Sequence, residues 1–166
     1  MTRVRAATAV ATLAAVALAA SALAATTVSL PALLAPQIAK AKAGKVAVLI
    51  PATLRADAPA AKLYAAGGAT KHGYDIQLAY APGCFDATAC FLAEFWGNPG
   101  KIYLKTAVIL TRGIHGAFHA ISCGASCAPA TIQWKESGVL YTIQWRAGTR
   151  ASMIALANSA IKAGPR

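Results

Sequence analysis

Period-two alternation of apolar and polar residues dominates the second half of the chain. In "YDIQLAY", Tyr74, Ile76, Leu78 and Tyr80 alternate with Asp75, Gln77 and Ala79, which predicts a strand with one buried face. "CFLAEFW" behaves alike, with Phe91, Ala93 and Phe95 on one face and Leu92, Glu94 and Trp96 on the other. "AVIL" and "IHGAFHAI" predict two more strands around a Thr111–Gly113 turn, with Ile114, Gly116, Phe118 and Ala120 facing one way. The clearest hairpin is "TIQW" and "VLYTIQW" around a four-residue loop, Lys135-Glu136-Ser137-Gly138. Upstream, Val46, Val48 and Ile50 alternate as a strand that Pro51 ends. "KLYAAGGAT" reads as the first arm of a hairpin that turns at Lys71-His72-Gly73. The alternative is a short helix capped by Asp57 and ended at Gly67-Gly68. The hairpin is preferred because it gives the following strand an antiparallel neighbour. Pro82-Gly83 opens a loop that closes at Cys90, and Asn98-Pro99-Gly100 predicts a turn.

The period changes at the end of the chain. Met153, Ile154, Ala157, Ala160 and Ile161 form a helical stripe behind a Thr149 N-cap, and Gly164-Pro165 supply the stop. One amphipathic helix needs a surface to cover, and an antiparallel sheet provides it. The fold class expected is therefore α+β: a twisted antiparallel sheet of about five to seven strands with a C-terminal α-helix packed on one face.

The N-terminus follows neither period. Arg3 and Arg5 precede an uncharged Ala/Val/Leu run that ends at Ala22-Leu23-Ala24, the three-part pattern of a secretory signal peptide. The run is short and alanine-rich, hence a weak spanning helix if it is retained as an anchor. Residues 1–24 are assigned to the signal, 25–45 to a linker containing two prolines and an Ala/Lys run, and 46–166 to a single domain. The expected location is secreted or periplasmic, with no transmembrane segment after cleavage.

Charge adds one inference. Without Arg3 and Arg5, 14 of the 16 basic residues remain against five acidic ones, a surplus of nine. That surplus suits anionic envelope components as partners, and it also serves solubility. The basic residues are dispersed and no nucleic-acid-binding module is present, so nucleic acid is not expected.

Four cysteines carry most of the candidate chemistry. Five residues separate Cys84 from Cys90 and three separate Cys123 from Cys127. Structural zinc knuckles commonly have two intervening residues, as does the thioredoxin-type redox motif, so neither spacing fits. Export and the even count favour disulfides, and the local pairing Cys84–Cys90 and Cys123–Cys127 is preferred of three connectivities. Such short loops stabilise by about 2 kcal/mol each in the chain-entropy model. The rival is copper handling or thiol redox chemistry at Cys123 and Cys127. It resembles extracytoplasmic copper chaperones, except that His72, His115 and His119 all precede the pair. His115 and His119 share a strand face but stand roughly 13 Å apart, too far for one ion.

Catalytic signatures are sparse. Asp57, Asp75, Asp86, Glu94 and Glu136 fall in different segments, and no nucleophile elbow, phosphate loop or zincin motif occurs. A hydrolytic pairing of His119 with Ser122 has no positive support. Trp96, Trp134 and Trp145 could form a binding platform, but packing is the default role, since Trp134 and Trp145 lie on the two arms of one hairpin.

Taken together, "PATL", "LTRGIHGAFH" and "TIQWKESGVLYTIQW…ASMIALANSAIKAGPR" resemble uncharacterised exported bacterial domains of this size. Related sheet-plus-helix domains occur on lipoproteins and outside anti-sigma regulators. The resemblance implies a disulfide-stapled sheet with a final helix and brings no catalytic residues or cofactor. The function expected is a secreted or periplasmic non-catalytic domain for binding or envelope association.

Overall fold

The computed structural model of the protein describes residues 25–85 and 88–166. The expected signal peptide, residues 1–24, and the carboxylate Asp86 lie outside the described residues. The strands are β1 (Thr26–Ser29), β2 (Thr53–Ala56), β3 (Tyr64–Ala69), β4 (Tyr74–Ala79), β5 (Phe91–Pro99) and β6 (Thr106–Ile109). They continue with β7 (His115–His119), β8 (Ser122–Cys123), β9 (Cys127–Ala128), β10 (Ala130–Glu136) and β11 (Val139–Trp145). The α-helices are α1 (Leu30–Leu33), α2 (Ala35–Ala41) and α3 (Arg150–Ala163). Seven strands form one antiparallel sheet in the order β3-β4-β5-β11-β10-β7-β6. The expected α+β architecture is the one found: α3 packs on β10, β11 and β7 of this sheet.

Alternation sorts the side chains onto two faces. Ile76 lies opposite Phe95, Phe95 opposite Ile143, Ile143 opposite Ile132, and Ile132 opposite Phe118. One buried apolar row thus crosses five strands. Beside it Trp134 stacks on its cross-strand partner Tyr141, with ring centroids 5.4 Å apart. Met153, Leu156, Ala157, Ala160 and Ile161 of α3 are buried in the same core. The helix starts in a reciprocal cap, with Ser152 N–H donating to Thr149 Oγ1 (3.2 Å) and Thr149 N–H to Ser152 Oγ (2.9 Å). Gly164 ends it at φ 70°.

Several expectations are corrected. Residues 25–45 are not a linker. They form β1, α1 and α2, and Leu30, Leu34, Ile38 and Ala41 are buried in the main core. The two prolines sit in the first turns of α1 and α2, where a missing N–H costs nothing. The Val46–Ile50 alternation does not produce a strand. Val48, Leu49 and Ile50 are all buried in a run that follows no ladder. Its backbone is satisfied by side chains and the C-terminus instead. Tyr74 Oη accepts from Leu49 N–H (3.2 Å) and donates to Leu49 C=O (3.0 Å), and Tyr141 Oη donates to Ala47 C=O (3.1 Å). Arg166 N–H donates to Val48 C=O (3.0 Å), and Ser159 Oγ accepts from Ala52 N–H (2.9 Å). The run is therefore gripped between the sheet and α3.

Turn chemistry differs in three places. The β10–β11 loop has two residues, not four: Ser137 (φ 51°) and Gly138 (φ 82°) both adopt the left-handed region that a type I′ hairpin turn requires. Asn98 and Pro99 are not a turn but the end of β5, opposite Leu140 and Val139. Finally, the β4–β5 register shifts, so that Leu78 faces Ala93 while Ala79 faces Phe91. Leu92 is the extra residue of this bulge, and it is buried, whereas Phe91 is only half-buried. The bulge thus breaks the simple alternation expected for "CFLAEFW".

Two outcomes follow from this packing. Leu34→Ala should cost about 2–5 kcal/mol in denaturant unfolding, the usual range for a buried leucine, whereas in a linker it would cost nothing. Burial, with Glu136 adding to it, pushes the Tyr141 hydroxyl up to about 12, and burial raises Tyr74 as well. Both tyrosines are neutral in the fold while the unfolded chain ionises near 10. Their contribution is therefore full below pH ~10 and is lost as pH rises toward the folded values. Stability should fall less steeply above pH ~10 for Tyr74→Phe, and that variant should already be about 1–3 kcal/mol less stable at neutral pH from the orphaned Leu49 groups.

Candidate functional site

Residues that alternate with the core row point to the opposite face of the sheet. There Gln77 lies opposite Glu94, Glu94 opposite Gln144, Gln144 opposite Thr131, and Thr131 opposite His119. A second row runs Asp75, Trp96, Thr142, Gln133 and Ala117. This face carries amides, hydroxyls and two carboxylates, together with Trp96 and His119. The repeated "TIQW" produces its centre: two antiparallel copies, Thr131–Trp134 and Thr142–Trp145, pair threonine with glutamine in both directions.

Part of this face is closed. Gln133, fully buried, donates from Nε2 to Thr142 Oγ1 (3.3 Å) and accepts at Oε1 from the N–H of Tyr103 (3.3 Å). Thr131 Oγ1 donates to Pro129 C=O (3.2 Å). The chain between β5 and β6 and the chain before β10 therefore satisfy these buried polar groups.

The rest of the face is open and forms a cleft of about 570 Å³. Gln77, Glu94 and Gln144 make the floor, from three adjacent strands. Phe85, Thr88, Ala89 and Phe91 line one side, and Ile121, Cys127, Ala128 and Pro129 line the other. Gln77 Nε2 donates to Glu94 Oε1 (2.8 Å), holding two floor groups in place. Arg146, directly after β11, donates from Nη1 to Ala89 C=O (2.7 Å), and its N–H donates to Leu92 C=O (2.9 Å). It is exposed and lines the cleft. The volume is in the usual range of small-molecule sites, and the mix of apolar walls with a few polar groups is usual too.

Both disulfides belong to these walls. Cys84 is joined to Cys90, with Cα atoms 6.1 Å apart, and Cys123 to Cys127, at 4.0 Å. The first closes the loop that carries Phe85, Thr88 and Ala89. The second ties β8 to β9, in which Cys123 and Cys127 are direct cross-strand partners. Each loop is too short to fold on apolar burial of its own, and residues 121–128 are exposed throughout. The covalent bond is what gives such a wall a shape.

The remaining candidates are placed as follows. His115 and His119 are exposed on the same strand face, and His119 Nε2 lies 3.3 Å from Ser122 Oγ. No carboxylate hydrogen-bonds to His119 to complete a triad among the described residues. Among those residues no three His, Cys, Asp or Glu side chains gather as a metal cluster. Trp134 and Trp145 are core residues, not a platform. Glu136 pairs with Arg112 at the far end of the β10–β11 hairpin. Among the described residues Glu94 is the one carboxylate that lines the cleft.

Sequence patterns pointed to the four cysteines and not to the floor. Gln77, Glu94 and Gln144 look like the solvent side of separate strands, and only the register brings them into one line. A usable signal is present: glutamine occupies an outward position in β4, β10 and β11 alike, where lysine or threonine would serve a merely wet surface as well.

With both disulfides closed, thiol counting should find no free thiol before reduction. Replacing Cys123 and Cys127 by serine should cost only about 2 kcal/mol in unfolding. A pair found free, or bound to copper, would favour the metal or redox rival. No family model matches the chain, and neither does any curated protein or solved structure.

Proposed function

We propose that the protein is an exported, non-catalytic binding domain of the bacterial envelope, secreted or periplasmic, and that its ligand occupies the stapled cleft. The observation that carries this reading is that both disulfide-closed loops stand on either side of one set of polar side chains, Gln77, Glu94 and Gln144. Covalent closure pre-organises the walls, which lowers the ordering cost of binding. Export is supported by the signal-like N-terminus and by the two disulfides. No helix among the described residues is long and apolar enough to cross a membrane. A binding role is favoured by the make-up of the floor, two glutamine amides beside one carboxylate, which suits hydrogen bonding to a ligand. The basic surplus suits an anionic setting around the cleft.

The test does not depend on the identity of the ligand. Isotope-labelled protein is titrated with a chemically diverse fragment library, and backbone and glutamine side-chain amide shifts are mapped. Fragment hits should converge on residues 77, 94, 144 and 121–129. Hits that scatter over the surface, or converge elsewhere, overturn the reading.

A further inference from the structure

We propose that the cleft binds a saccharide and that Arg146 selects one bearing a carboxylate. The inference rests on the binding reading above and names the ligand class of that same site. The floor is the first argument. Gln77, Glu94 and Gln144 stand side by side on β4, β5 and β11, and adjacent strands lie ~4.8 Å apart. Gln77 gives one N–H to Glu94 Oε1, Gln144 carries two amide donors and an acceptor, and a carboxylate oxygen accepts. A pyranose presents the complement: neighbouring hydroxyls around a ring, each able to donate and to accept. A row of planar polar groups at strand spacing meets several such hydroxyls at once.

The walls are the second argument. Phe85 and Phe91 line the cleft beside the polar floor. A sugar ring has an apolar C–H surface as well as a polar rim, so it can use both kinds of lining. A purely apolar ligand would displace water from the floor groups and return no hydrogen bond, which disfavours it. An extended peptide is a poorer match for a different reason. Peptides that bind sheets pair with the backbone at an edge, whereas this floor is the face of the sheet, whose N–H and C=O groups are already paired between strands.

Charge sets the finer selection. Glu94 in the floor repels an anion placed at the middle of the cleft. Arg146 stands at the first-loop wall, where one of its five N–H donors goes to Ala89 C=O. Guanidinium and carboxylate match as a planar, charge-assisted pair. A sugar ring over the glutamines with its acidic substituent toward Ala89 satisfies both groups. The chemistry is that of a uronate or a carboxyl-substituted amino sugar.

The probes are a galacturonate trimer, an N-acetylglucosamine trimer and decanoate, each titrated calorimetrically and by amide mapping. The acidic trimer should bind in the cleft about tenfold more tightly than the neutral one, the worth of one charged hydrogen bond. Decanoate, a carboxylate without a sugar ring, should not bind there. Arg146→Gln should remove the preference for the acidic trimer, so that the two trimers bind alike. Gln144→Leu should weaken both saccharides at least tenfold. Gln77→Met gives the same readout should Gln144→Leu fail to fold. If neither saccharide perturbs the cleft while library fragments do, the saccharide assignment is overturned and the cleft remains a binding site. If the fragments also miss the cleft, both readings fall. Equal binding of the two trimers that Arg146→Gln does not change overturns the role given to Arg146.

Discussion

The ladder between β10 and β11 lies in the middle of the main sheet, with β5 paired on one side and β7 on the other. It joins Ala130 to Trp145 at one end and Glu136 to Val139 at the other, closed by a two-residue turn at Ser137-Gly138. Strict alternation along this hairpin separates two chemistries. Ile132, Trp134, Tyr141, Ile143 and Trp145 face the helix side, and Thr131, Gln133, Thr142 and Gln144 face away. A slip of one residue in the register would exchange the two sets and bury amides under α3. The core and the cleft are therefore consequences of one pairing, not separate features.

The helix side is completed by a segment that has no ladder. Val48–Ile50 enters the core as a continuous apolar run, and a run of that kind brings polar backbone with it. Tyr74 and Tyr141 solve this by presenting their rings to the core and their hydroxyls to Leu49 and Ala47. Ser159 and Arg166 do the same from α3 and the C-terminus. Backbone groups are paired without a neighbouring strand, which is why an apparent strand pattern can end as an irregular buried strap. The same strap leads into β2, which pairs with β1 and so ties the N-terminal elements to the core.

The polar side follows a different logic. Its closed half is satisfied by Tyr103 and Pro129, and its open half faces the cleft between two short loops. Loops of this size have little apolar surface to bury, so their shape comes from covalent closure. Arg146 links the wall to the sheet through Ala89 and Leu92. The two disulfides close the loops that flank the cleft. They shape the space above Gln77, Glu94 and Gln144.

Local chemistry made much of this legible in the sequence. The strands β3–β7, β10 and β11, the Thr149-capped helix and the pairing of neighbouring cysteines depend on period, capping and short loop closure. These are properties of a few consecutive residues. What lay beyond the sequence depends on contacts between distant segments. Leu30 and Leu34 become core residues only because the sheet leaves room for them, and the Val46–Ile50 pattern loses its ladder because two tyrosines more than twenty residues away take its hydrogen bonds. The bulge at Leu92 turns Phe91 into a wall residue through the register of β4 against β5. The cleft was the least visible feature, because its floor comes from three strands adjacent in the sheet, β4-β5-β11, the last of which is separated from β5 in the chain by five other strands. Alternation determined which residues face outward, and only the strand order decided which of them meet.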